Sequence, residues 1–224
     1  MKKFEGLSRE MIALRASREI PDGSYVNLGI GIPTLISNWI EGKDIILQSE
    51  IGMLKTGPLV FGEGVDQDII NASCQPVHTL PGTAYFDIVE SFAMIRGGKM
   101  DVVVMGALQV DEHGDYAGWA NPARGLMGVG NIGGSMDLAA GAKKLLITME
   151  HVTNDGQPKI VKELTYPATT EGKVNMIFTD FAVIEVTPQG LLLKEVYPGL
   201  TPQDIQSVTE PKLITSADLK EIEL

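Results

Sequence analysis

Apolar positions along this chain change period several times, and each change marks an element. In SREMIALRASREI (residues 8–20), Met11, Ile12, Leu14, Ala16 and Ile20 fall mostly on one helical face with charges opposite, and PDG stops the segment. SYVNLGIGIPT then reads as a short buried strand running into Gly29 and Gly31, with Pro33 placed to open a helix over TLISNWI. DIILQ and PVHTL read as strands, FDIVESFAMIR as a helix starting near Asp87, and DVVVMGALQV as a strand of β-branched and aliphatic residues. SMDLAAGAKK predicts a helix and LLITM a strand, while MIFTDFAVIEV and LLLKEV predict later, more antiparallel strands.

Strands alternating with helices predict an α/β fold with a mostly parallel sheet flanked by helices and some antiparallel strands near the C-terminus. The 224 residues suffice for one sizeable core, and no repeat, low-complexity tract or linker divides them, so residues 1–224 are expected to form one domain. The segment from about 111 to 133, DEHGDYAGWANPARGLMGVGNIG, is long, glycine-rich and poorly patterned; connections of that length are often functional.

Composition narrows the function. A formal charge of −11 argues against a nucleic-acid or anionic-membrane surface, which would need clustered Lys and Arg. The single cysteine, Cys74, cannot form an internal disulfide, and with His78, His113 and His151 it shows no metal-ligand spacing, so no metal site is expected. MKKFEGLSREM lacks an apolar signal region, and no stretch reaches the roughly 18 apolar residues of a membrane span, so a cytoplasmic protein is expected.

Several residues are candidates for chemistry. Gly128, Gly130 and Gly133 have the GxGxxG spacing, with Glu150 about twenty residues on, but a dinucleotide fingerprint must follow a strand directly and here a long loop intervenes. Glycines at a helix start, as in GGSMDL (Gly133, Gly134) and NLGIGIP (Gly29, Gly31), allow N–H groups to hold an anion or oxyanion, or serve loop geometry alone. Glu50 follows DIILQS at a strand's carboxyl end, where active groups collect in parallel sheets, although the pattern alone favours a solvated turn residue. His151 stands where a general base could but is read as a hydrogen-bonded structural histidine. Arg96 is an anion ligand or a helix-end cation, and Cys74 a buried small residue rather than a nucleophile.

Five segments in register, DGSYVNLGIGIPT, LQSEIGMLKTGP, ESFAMIRGGKMDVVVMGALQVDEHGDYAGW, GGSMDLAAGAKKLLITMEH and GQPKIVKELTYPAT, resemble the β subunit of the family I CoA-transferases. The resemblance implies an open α/β sandwich and transfer of coenzyme A between a short acyl- or 3-oxoacyl-CoA and a carboxylic acid. It maps the family's nucleophilic glutamate onto Glu50, the oxyanion-hole glycine onto Gly134, and a substrate-site asparagine onto Asn27. It also implies an α subunit partner in an α₂β₂ assembly, coenzyme A as substrate, and no permanently bound cofactor. Two departures stand out: Ile51 replaces the asparagine of the family's S-E-N-G segment, and NASC (71–74) replaces N-A-G-K or N-A-G-G. Other readings are a sugar-phosphate isomerase on a related fold, for which no lysine-rich phosphate loop is found, and a noncatalytic binding subunit.

Overall fold

The computed structural model describes residues 4–63, 65–128, 130 and 132–224, with backbone alone at 123, 126 and 127. The first helix, α1 (Arg9–Ser17), starts at Ser8, whose hydroxyl accepts from the Met11 N–H. It buries Ile12, Ala13 and Ala16, whereas Met11, expected on this face, is exposed. β1 (Tyr25–Leu28) leads through Gly31 into a 3-10 helix, Ile32–Trp39. The Thr34 and Ser37 hydroxyls donate to the Gly29 and Thr34 carbonyls, competing for the acceptors of an α-helical ladder where the sequence predicts an ordinary helix.

β2 (Ile46–Ser49), β3 (Met53–Leu59) and β4 (Val77–Tyr85) form an antiparallel run. α2 (Ile88–Arg96) is capped by Asp87, which accepts from the Glu90 N–H, and β5 (Val102–Gly106) follows. The predicted single strand DVVVMGALQV breaks at Gly106: its second half, β6 (Gln109–Asp111), joins β7 (Tyr116–Ala117) and β9 (Ile160–Val161) in a separate small sheet. A 3-10 segment (Pro122–Gly128), α3 (Gly134–Gly141) and β8 (Lys144–Thr148) come before β9. After it come β10 (Val174–Phe178), β11 (Ala182–Thr187), β12 (Gly190–Val196), α4 (Pro202–Gln206) and β13 (Leu213–Glu221).

Among the described residues, ten strands form one sheet in the order β13-β12-β11-β10-β8-β5-β1-β2-β3-β4. β10, β8, β5, β1 and β2 are parallel, and antiparallel pairs flank this block on both sides. The parallel strands alternate their side chains between two apolar clusters: Val103, Met105, Leu145 and Ile147 with Ile95 of α2 and Leu138 of α3 on one face, and Val102, Val104 and Leu146 with Ile12 of α1 and Ile36 on the other. Cover on both faces is what a parallel block requires.

A buried ion pair ties α1 to the far end of the sheet. Arg15 Nε and Nη2 donate to Glu195 Oε2 and Oε1 at 2.7 and 2.8 Å, and Nη2 also reaches Glu19 at 3.0 Å. Burial opposes ionisation of Glu195, but Arg15 and, more weakly, Lys220 outweigh it and hold its carboxyl below the usual range. A depressed folded-state pKa makes this contribution complete above the unfolded value of about 4.3 and lost as pH falls through the lower folded value. Glu195→Gln is therefore expected to cost about 3 kcal/mol near pH 7, the low end for a broken buried pair because Glu19 still reaches Arg15. In thermal melts the gap between variant and parent should close below about pH 4; a pH-independent gap would contradict the pairing.

Candidate active site

β1 has β2 on one side and β5 on the other, so chain direction along the sheet reverses at β1. Such a switch point opens a crevice beyond the carboxyl ends of the strands. A cavity of about 370 Å³ lies there, walled by Gly29 and Ile30 after β1, Glu50 after β2, Met105 to Leu108 at and beyond the end of β5, and Gly134, Ser135 and Leu138 of α3. Tyr116, Gly118 and Ile132, from the long patternless segment, complete the wall.

Glu50 stands at the corner where β2 turns into β3. The Gly52 N–H donates to the Ser49 carbonyl at 3.0 Å, which makes Glu50 and Ile51 the two corner residues of a tight turn. Gly52 has φ +121°, and a Cβ there would lie 2.1 Å from the Phe86 carbonyl oxygen, so no other residue fits. The turn leaves Glu50 half-buried and Ile51 45% exposed.

Asn27 of β1 pairs in register with Gln48 of β2 and is fully buried. Its Nδ2 donates to Gln48 Oε1 at 2.6 Å, and it approaches the Gln48 carbonyl at 3.1 Å and Glu50 Oε2 at 3.3 Å. Gln48 Nε2 in turn donates to Ser91 Oγ of α2 at 2.8 Å. A polar line thus runs from α2 through β2 and β1 to the Glu50 carboxylate. Asn27 Oδ1 is buried without a hydrogen-bond partner among the described residues. Sequence reading missed Gln48 and Ser91; the signal was a glutamine at a buried strand position.

The structure brings only some of the candidate glycines to this cavity. A Cβ on Gly134 would lie 3.4 Å from Phe92 Cζ and 4.0 Å from Glu50 Cγ, so the start of α3 abuts the carboxylate side chain. The first-turn N–H groups of a helix have no intrahelical acceptor. Gly133, at φ +98°, caps α3, and Gly31, at φ +95°, caps the 3-10 helix; neither lines the cavity. Gly29 does line it, but its N–H donates to the Val104 carbonyl at 2.8 Å, which removes it as an anion donor. Gly130 donates to Trp119, and Val129 and Asn131 of the GVGNIGG motif lie outside the described residues.

Other candidates sit elsewhere. His151 is fully buried between Thr179 Oγ1 at 2.9 Å and Thr209 Oγ1 at 2.8 Å; burial, helped by the Lys159 charge, pushes its pKa down to about 3 and keeps it neutral. Arg96 ends α2, but its Nε donates to Asp137 Oδ1 in the first turn of α3 at 2.7 Å, so it clamps two helices. Cys74, expected to be buried, is exposed at φ +57°. The Asn71 side chain accepts from the Ser73 and Gln75 N–H groups, and that tight turn throws Cys74 outward. Among the described residues, no three His, Cys, Asp or Glu side chains cluster to hold a metal, and no helix is long and apolar enough to cross a membrane.

Strand order, cavity and glycine-led helix define an α/β protein with a crevice at the switch point of an open sheet. Residues 9–207 match the coenzyme A transferase family, and the chain belongs to that family. It is 45% identical to a subunit of the 3-oxoadipate CoA-transferase of Acinetobacter baylyi, over 94% of this chain and 97% of that protein. It is 41% identical to the beta subunit of the acetate CoA-transferase of Escherichia coli K12, over 95% of this chain and 96% of that one. Among solved structures, an acyl-CoA transferase apoenzyme of Escherichia coli O157:H7 superposes with a TM-score of 0.77 at 24% identity, covering all of this chain and 44% of that longer one; this likeness concerns the fold.

The turn geometry carries a stability test. Gly52→Ala is expected to lower stability by more than about 3 kcal/mol in denaturant titration. Gly62→Ala, also at positive φ (+106°) but with open space around its Cβ, should cost about 1–2 kcal/mol. Equal losses would mean that the contact with Phe86 contributes nothing.

Proposed function

We propose that this chain is the catalytic β subunit of a CoA-transferase that moves coenzyme A between a short acyl- or 3-oxoacyl-CoA and a free carboxylic acid through Glu50. The observation that carries the reading is a half-buried carboxylate at the edge of a 370 Å³ switch-point cavity, held by buried Asn27 and set against the glycine-led start of α3.

The chemistry suits a carboxylate. A carboxylate nucleophile has no proton to lose before it attacks, so it needs no general base. A Glu50 oxygen attacks the thioester carbonyl of the donor, the tetrahedral oxyanion collapses, and the C–S bond breaks to leave a mixed anhydride and the CoA thiolate. The thiolate attacks the glutamyl carbonyl, releasing the donor acid and leaving Glu50 as a CoA thioester. The acceptor carboxylate attacks that thioester, the thiolate departs, and its attack on the new acyl carbonyl yields the product and restores Glu50. The activation energy of the thioester is kept throughout, so no ATP and no permanently bound cofactor are required. The Gly134 N–H at the start of α3 is the candidate oxyanion donor; one such donor is typically worth about 2.7–4 kcal/mol.

Both relatives carry the names of enzyme subunits, which supports an α subunit partner; an α₂β₂ assembly is part of the proposal. Exposed Ile51, Tyr85, Ile88 and Val89 give apolar surface for it on the turn beside Glu50 and around the start of α2. A partner seated there would also exclude water, which hydrolyses anhydrides. The acidic composition fits a CoA nucleotide held largely by the partner.

In the reconstituted complex, Glu50→Gln is expected to reduce CoA exchange between acetoacetyl-CoA and acetate to background while the melting temperature stays near that of the parent. After incubation with acyl-CoA, hydroxylamine should place a hydroxamate on the peptide holding Glu50 of the parent and none on the variant. Normal turnover by Glu50→Gln would refute the assignment.

A further inference from the structure

α3 carries the candidate oxyanion donor, yet little in its own sequence holds it in place. GSMDLAAG is eight residues long with a glycine at each end, and its N-cap, Gly133, makes no side-chain hydrogen bond to the first turn. Isolated helices shorter than about 12–15 residues are marginal, and glycine is among the poorest helix formers. The position of the first N–H groups of α3 is therefore set from outside the helix.

α2 supplies that support at three points. A Cβ on Gly141 would collide with the Ile95 carbonyl oxygen, so the end of α3 packs directly on the α2 backbone. In the first turn of α3, Asp137 Oδ1 accepts from Arg96 Nε at 2.7 Å. The Arg96 guanidinium also lies over the Phe92 ring, 5.5 Å from its centroid, and the tip of that ring faces Gly134, where a Cβ would lie 3.4 Å from Phe92 Cζ. One side chain thus grips Asp137 directly and backs the ring against which Gly134 rests, on the side of α3 that abuts Glu50.

Resting on the CoA-transfer reading, we propose that Arg96 is a positioning residue for the reaction: through Phe92 and Asp137 it holds the start of α3 at the distance from Glu50 at which the Gly134 N–H meets the oxyanion. Magnitudes separate this role from simple bracing of the fold. The Arg96 side chain is 66% exposed, and ion pairs this open contribute little to global stability. Position at a reacting centre matters far more, since a misplacement of about 1 Å can cost on the order of 100-fold in rate. Loss of the clamp therefore acts on turnover and leaves the melting temperature nearly untouched.

The test compares Arg96→Gln, Phe92→Leu and a control, Lys143→Gln, in the complex with the partner subunit. Lys143 Nζ holds Asp101 Oδ1 at the same 2.7 Å with a side chain 61% exposed, but at the amino ends of β5 and β8, away from the cavity. With acetoacetyl-CoA and acetate, Arg96→Gln is expected to lower kcat about tenfold and to keep KM within about twofold, because a donor to the oxyanion stabilises the transition state alone. Phe92→Leu should act in the same direction, and the double variant should lose less than the product of the two single losses, since both act through Gly134. Arg96→Gln should keep its melting temperature and its partner subunit, and Lys143→Gln should match the parent throughout. Unchanged kcat in Arg96→Gln, a rise in KM in its place, or loss of the partner subunit overturns the proposal. Mass analysis of Glu50 after exposure to acyl-CoA separates this role from the reading beneath it. Adduct formation by Arg96→Gln at the parent's rate would leave transfer standing and overturn the positioning; a parent that forms no adduct would overturn both.

Discussion

A carboxylate at the end of a buried strand is costly unless the backbone delivers it to a cavity and polar groups meet it. The Ser49–Gly52 turn supplies the first condition. Gly52 fits between the turn and the Phe86 carbonyl only because it has no side chain, and the Gly52 carbonyl accepts from the Phe86 N–H at 3.1 Å. That contact locks the β2–β3 corner to the segment leading into α2. Asn27 and Gln48 supply the second condition, and Ser91 on α2 anchors them. One packed glycine thus sets the position of the carboxylate and of the helix that supports its hydrogen-bond line.

The rest of the sheet gives this corner a fixed frame. Five parallel strands covered on both faces hold β1, β2 and β5 in register, and the reversal of chain direction at β1 leaves space beyond their ends. α3 closes that space with its glycine-led start, while Arg96 and Asp137 tie α3 to α2. The loop after β6 brings Tyr116 and Gly118 to the same wall. Residues from separate segments therefore meet at one cavity, fixed by one sheet.

Much of this was legible in the sequence where local signals agreed with burial. DVVVM and LLITM are continuous apolar runs and became central strands; Asp87 announced α2 at its cap. β3 escaped notice because its apolar period is broken at Lys55, which adopts φ +65° where the register with β4 shifts. β13 is mostly exposed on the sheet edge and carries little apolar pattern. The helix after Pro33 was readable, its 3-10 form was not, since that depends on hydroxyls bonding to nearby carbonyls. Glu50 was ambiguous by pattern and gained meaning from the register of five resembling segments. Gln48 and Ser91 depend on contacts between residues that pattern does not encode, so periodicity could not reveal them.

If Glu50 is the nucleophile, it exchanges its own oxygen with the acids it serves, because each anhydride is made at one carbonyl and broken at the other. An acceptor acid labelled with oxygen-18 in both carboxylate positions makes that exchange visible. After the complex has turned over with this acid, mass spectrometry of the peptide that carries Glu50 should find oxygen-18 in the Glu50 side chain. Turnover that leaves Glu50 free of label while producing labelled acyl-CoA would contradict a covalent role for this carboxylate.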